Sequence, residues 1–294
     1  MKKTNSDNAR NSILVRSILN PTNNKITLNM SELTVRDLIV YPLKSARGIH
    51  VESMQLNELG PELDRRWMVI DSQGKFVTQR KAPKMCLIET AMGFDGSLEL
   101  AVKGSDKISV PAGGYAPKQS SVWGTEVQGE DCGDDAADWI SAFLDKQCRI
   151  IYMPSSYERL VDTNYATQQE RVGFADGFPL LIATQSSLED FNSKLGFEIG
   201  MDRFRPNIVI GGNQPWAEDK WTDITINNIT LSLLKPCSRC IMPSINPQTG
   251  EKQMQVNQTL QAHRRRERET YFGQNAVYDR LGTITLGDSV LLSQ

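Results

Sequence analysis

The chain has 294 residues, enough for two domains or one large one with an ample core. Hydrophobic residues make up 39% and charged residues 23%, an ordinary soluble composition, and the net charge of −2 excludes bulk attraction to nucleic acid or to an anionic membrane. Five cysteines without a framework spacing argue for a reducing compartment, and no apolar run approaches the ~20 residues of a membrane-spanning helix.

Residues 1–31 are rich in Asn, Ser, Lys and Thr, and their Ile13-Leu14-Val15 cluster is too short for a signal-peptide core, so a disordered leader on a cytoplasmic protein is expected. A first strand is predicted over 33–41, closed by Pro42, with the polar loop 44–48 and a second strand over 51–59 after it. Residues 66–70 and 75–78 flank Asp71-Ser72-Gln73-Gly74 as the arms of a hairpin. Further short strands are predicted over 87–92, 97–102, 108–110 and 121–127, a spacing that suggests a small barrel. A helix over 134–146 places Trp139, Ile140, Phe143 and Leu144 on one face, with Asp134 or Asp135 as its cap, and a strand over 149–153 follows.

The second half begins with a polar loop over 164–173, expected to be mobile, and then Asp176 between Phe174 and Phe178, an acid flanked by aromatics. A short strand over 180–183 precedes Ser186-Ser187-Leu188-Glu189, which has the spacing of a capping box for a helix that Gly196 ends. Strands are predicted over 208–210 and over 224–234, the latter with an irregularity at Asn227-Asn228. A hairpin turn is expected at 246–250, and the run 263–269 reads as a solvated helix face because its arginines are interleaved with acids. A last strand over 284–292 closes around Gly287-Asp288. The fold class expected is mainly β with peripheral helices, of the β-barrel or α+β type, with one domain over 32–150 and another over 151–294.

The stretch richest in chemistry is Lys235-Pro236-Cys237-Ser238-Arg239-Cys240 at a strand end. Two thiols at this spacing can cycle as a dithiol, form half of a zinc site, give one thiolate to a metal bound elsewhere, or serve as small core residues. A zinc site needs two more ligands, yet Cys86, Cys132 and Cys148 are isolated and the histidines are His50 and His263 alone. A dithiol site prefers a helix N-terminus, and Pro243 disfavours helix at Met242.

The motifs Tyr41-Pro42-Leu43-Lys44-Ser45, Asp64-Arg65-Arg66-Trp67, Phe204-Arg205-Pro206-Asn207, Pro236-Cys237-Ser238-Arg239-Cys240 and Phe272-Gly273-Gln274-Asn275 occur in that order. Together they resemble the MOSC family with its N-terminal β-barrel domain, over about 33–292, and in pattern its reductases of N-hydroxylated bases and amidoximes. That resemblance implies a molybdenum cofactor of the molybdopterin type, with Cys240 as the metal ligand and Cys237 as its neighbour. The same carry-over makes Lys44, Arg65, Arg205 and Arg239 its cationic contacts, with Arg66 as the rival to Arg65. Ser45, Thr184, Asn207, Ser238 and Asn275 become its hydrogen-bonding partners. The implied reaction is two-electron reduction of an N–O bond in a small N-hydroxylated substrate, with Asp176 as the proton-handling candidate. No cysteine cluster for an iron–sulfur domain follows the motif, so electrons are expected from a separate flavoprotein, ferredoxin or haem protein. The alternative from another class is a cofactor or sulfur carrier protein without turnover.

Overall fold

Apolar residues at every second position build the largest sheet in the computed structural model, which describes residues 32–166 and 170–293. Its strands run, in spatial order, Val290–Leu292, Asp223–Ile226, Ile229–Ser238, Glu269–Tyr278, Leu180–Thr184, Ile208–Gly211, Thr34–Val40 and Ile49–His50. All neighbours are antiparallel except Leu180–Thr184 with Ile208–Gly211, a parallel pair bridged by the helix Gln185–Leu195. The two ends of the sheet meet: Val35 N–H donates to the Asp288 carbonyl at 2.9 Å and Val290 N–H to the Leu33 carbonyl at 2.8 Å. The barrel so formed is filled by Leu38, Leu56, Ile182, Ile208, Ile224, Ile229, Leu231 and Ile284, all fully buried. Strands from both halves of the chain therefore share one wall, and Ser53–Asn57 pairs with Gly282–Thr285 in the same way.

A second core lies under the first half. Trp67–Asp71, Cys148–Tyr152, Thr125–Asp131 and Pro117–Val122 form a four-stranded antiparallel sheet, and Glu89–Met92, Leu98–Ala101 and Ile108–Val110 a three-stranded one. Helix Asp134–Leu144 covers them with Ala136, Ile140 and Leu144. Two further helices, Gln185–Leu195 and Met254–Arg264, pack outside the barrel around Phe191, Phe204, Phe272, Val256 and Leu260. The architecture is mainly β with peripheral helices, as expected from the sequence.

Two predicted strands are hairpins instead, and a third is two strands that pair in different sheets. The span 121–127 is split by Trp123 (φ 52°) and Gly124 (φ 87°), and 224–234 by Asn227 (φ 47°) and Asn228 (φ 61°). Two consecutive left-handed residues match the twist of the flanking strands, which is why the chain reverses there rather than running on. The span 284–292 is likewise two strands turning at Gly287 (φ 85°). Helix Asp134–Leu144 stops two residues early because Asp145 turns left-handed, and neither Asp134 nor Asp135 makes a side-chain cap. The second arm of the 71–74 hairpin reduces to single bridges at Lys75 and Phe76. The expected leader 1–31 and part of the 164–173 loop lie outside the described residues.

Candidate functional site

A single cavity at the junction of the two cores gathers most of the sequence candidates. Lys44, Ser45, Arg65, Asp176, Arg205, Asn207, Ser238, Arg239, Cys240 and Asn275 all line it, together with Thr78, Arg80, Phe178, Cys237 and Met242. These come from the loop after the first strand, the approach to Trp67, the segment after Phe174, the turn before Ile208 and the end of the long strand Ile229–Ser238. Ser45 (φ 74°), Arg65 (φ 47°) and Arg205 (φ 57°) all sit in the left-handed region, a strain non-glycine residues accept where tertiary contacts fix the backbone.

One buried knot fixes the cationic wall. The Asp64 carboxylate, 3% exposed, accepts from Arg65 Nη1 at 2.7 and 2.6 Å, from Tyr41 N–H at 2.8 Å and from Asn207 Nδ2 at 3.0 Å. Arg65 and Arg205 bring their guanidinium carbons to 4.3 and 4.1 Å from the Tyr41 ring centroid. Burial pushes Arg205 down to about 10, and its Nη1 donates to the Ala46 carbonyl at 2.6 Å. Asn207 spends its whole amide on protein: Nδ2 also reaches the Ile39 carbonyl, and Oδ1 accepts from Leu181 N–H and Arg65. Its part is therefore to tie strands together behind the cavity. Arg66 turns away, donating from Nε to the Met153 carbonyl at 2.9 Å, so that of the two adjacent arginines Arg65 lines the cavity.

Asp176 and Lys44 form the opposite wall. Lys44 Nζ donates to the Phe174 carbonyl at 2.7 Å and to Asp176 Oδ1 at 2.5 Å. The Lys44 side chain is buried, and that of Asp176 is 60% exposed. The Lys44 ammonium, helped by a hydrogen bond from Trp123 and by Arg80, still holds the Asp176 carboxyl well below the usual carboxylate range, while burial leaves Lys44 below its ordinary value. Arg159, buried and lowered to about 10 by that burial, donates to the carbonyls of Gly173 and Ala175 at 2.7 and 2.6 Å and so fixes the segment carrying Asp176.

The thiols face the cavity from the strand end, each with its own guanidinium. Arg80 Nε donates to Cys240 Sγ at 3.0 Å, and Arg239 Nη1 to Cys237 Sγ at 2.9 Å. Arg239 Nε is buried without a partner. A three-residue 3-10 turn, Met242–Ser244, follows Cys240, so neither thiol sits at an α-helix N-terminus. Among the described residues no carboxylate lies within ion-pair reach of Arg80, Arg205 or Arg239. A cavity with this surplus of fixed cations, a spare buried N–H and a positioned thiol suits an anionic group that also accepts a thiolate.

Thr184 is the candidate the fold places elsewhere. It is fully buried and caps helix Gln185–Leu195, its hydroxyl accepting from Ser187 N–H, so the capping residue is Thr184 and not Ser186. The hydroxyls of Thr184 and Ser187 lie 3.0 and 2.9 Å from Oε2 of Glu218, which is also fully buried. Burial pushes the Glu218 carboxyl up, so the folded chain holds this proton more tightly than the unfolded one. Stability then falls as pH rises from the unfolded value, about 4.3, through the raised folded value. Glu218→Gln should flatten that dependence and leave the protein at least as stable as wild type at neutral pH, measured by thermal unfolding. A large loss of stability at neutral pH would contradict it.

Arg80, Thr78 and Arg159 were not legible as site residues. Arg80 follows a strand end beside Lys81 and reaches Cys240 across 160 positions of sequence, a contact that only the tertiary fold creates.

Residues 32–147 match the MOSC N-terminal beta barrel domain and residues 169–291 the MOSC domain. The chain is 34% identical to mitochondrial amidoxime-reducing component 1 of Mus musculus and 33% identical to that of Homo sapiens, covering 88% of this chain and 82% of each relative. Mitochondrial amidoxime reducing component 2 of Bos taurus is 30% identical over 87% of this chain and 82% of its own. The cavity thus lies where residues of both matched regions meet, and the chain belongs to the MOSC family, with a MOSC N-terminal beta barrel domain followed by a MOSC domain.

Proposed function

We propose that this chain is a molybdenum-cofactor-dependent reductase of N-hydroxylated compounds, such as hydroxylaminopurines and amidoximes. The observation that carries the reading is the Cys240 thiol at the edge of a cavity whose cations outnumber its carboxylates; the relatives named amidoxime-reducing components supply the reaction class. When bound, a molybdenum cofactor supplies two-electron reduction of an N–O bond, the oxygen leaving as water. Cys240 would hold the metal, with Arg80 fixing the position of its sulfur. Arg205, Arg239 and Arg65 would meet the phosphate and pterin edge, Ser45, Ser238 and Asn275 lying beside them on the same wall.

Asp176, the proton-handling candidate, would act together with Lys44. Its carboxyl, lowered by the Lys44 ammonium, would hold that buried ammonium in place through the 2.5 Å contact. Lys44 Nζ would be the proton carrier at this wall. Electrons would come from a separate donor protein. Protein produced in a host that makes molybdopterin should convert benzamidoxime to benzamidine with reduced methyl viologen; metal-loaded protein without turnover would overturn the reading.

A further inference from the structure

The arginine-rich run 263–269 is not a uniform solvated face. Helix Met254–Arg264 ends inside it, and Glu267 (φ 53°) turns the chain so that Arg265–Arg266 pairs with the start of strand Glu269–Tyr278. Arg264 and Arg266 both close on Asp219. Arg265 and Arg268 instead line a groove with Arg80, Arg239 and Cys240, and among the described residues neither has a carboxylate partner. Asn257 and Gln261, one helical turn apart, line the same groove. Glu269 is the single acid on its wall.

We propose that this groove is a phosphate subsite of the same active site, so that the preferred substrates are N-hydroxylated nucleotides and not the free bases or uncharged amidoximes. The inference rests on the reductase reading above. Arg80, Ser238, Arg239 and Cys240 belong to both the groove and the main cavity, so a ligand in one is continuous with the other. A guanidinium fork matches phosphate oxygens in two-point contact, and the side-chain amides of Asn257 and Gln261 suit the hydroxyls of a sugar between phosphate and base. The reaction balances as base–NHOH plus two electrons and two protons giving base–NH2 and water: the N–O bond breaks, the external donor is oxidised, and the phosphate is unchanged. A concave groove with amides beside its arginines fits a small anion better than the flat face of a protein.

The test compares kcat/KM for N6-hydroxyadenosine 5′-monophosphate, N6-hydroxyadenosine and benzamidoxime, driven by reduced methyl viologen. Wild type should favour the monophosphate over the nucleoside by about tenfold, the factor that ~1.4 kcal/mol represents, chiefly through KM. That preference should shrink as ionic strength rises. The charge-reversed pair Arg265→Glu/Arg268→Glu should erase the preference, with the ratio of nucleoside to benzamidoxime rates unmoved, and Arg265→Lys/Arg268→Lys should keep part of it. Equal rates for monophosphate and nucleoside in wild type would overturn the proposal, as would a preference that survives charge reversal. Charge reversal that slows only reduction by an acidic ferredoxin would also overturn it and assign the groove to the donor. Should benzamidoxime itself not be reduced, the reductase reading fails. Calorimetric binding of adenosine 5′-monophosphate, lost in the charge-reversed pair, still reads the groove; no binding to wild type would overturn it.

Discussion

Asp64→Ala should lower the melting temperature by roughly 6–20 °C, since removing one partner of a buried ion pair costs about 3–5 kcal/mol and each kcal/mol moves a domain of this size by about 2–4 °C. The size follows from how many donors lose their acceptor at once. Arg65 gives the buried carboxylate two short contacts, Tyr41 its backbone N–H and Asn207 its amide. Truncation leaves an uncompensated guanidinium and two unsatisfied donors behind the cavity. It also frees Arg65 from the orientation that brings it to the Tyr41 ring beside Arg205, so the cationic wall loosens with the fold. Asp64→Asn, which keeps an acceptor for Tyr41 but not the charge, should fall between. Thermal unfolding of the three proteins checks this, and an alanine variant that melts with wild type would show that the knot is not what holds the wall.

The knot also explains what could be read in advance. Residues that are local in sequence were legible: the strand spacing, the helix ended by Gly196, the thiol pair and the motif arginines each announce themselves over a few positions. The hairpin turns at Trp123-Gly124 and Asn227-Asn228 were not, because β-rich residues on both sides mask a two-residue reversal, and tryptophan is an unusual choice for a left-handed position. Thr184 is placed away from the cavity lining for a related reason. A threonine at a strand end looks free to bond a ligand, yet it is also the N-cap of the next helix, and the cap with Glu218 behind it takes the hydroxyl.

At the site, the motifs delivered residue types but not their partners. Nothing in the sequence pairs Lys44 with Asp176, 132 positions away, and the fold brings them into a 2.5 Å contact. Arg80 shows the converse. It lies outside every motif and yet is the side chain bonded to Cys240 Sγ. Long-range contacts of this kind are set by barrel closure and by the placement of the first-half sheet, which no local pattern encodes.

The second large effect concerns the thiols, and it bears on the central claim. Cys240 and Cys237 both line the cavity, and each has an arginine: Arg80 on Cys240 from across the cavity, Arg239 on Cys237 from within the motif. The donor to Cys240 Sγ comes from another part of the chain and the donor to Cys237 Sγ from within the motif, and we propose Cys240 as the ligand. Elemental analysis of wild type, Cys240→Ala and Cys237→Ala, all expressed in a host that makes molybdopterin, measures this directly. The account predicts close to one molybdenum per chain in wild type and in Cys237→Ala, and next to none in Cys240→Ala. Molybdenum retained without Cys240, or absent from the wild-type protein, would contradict it.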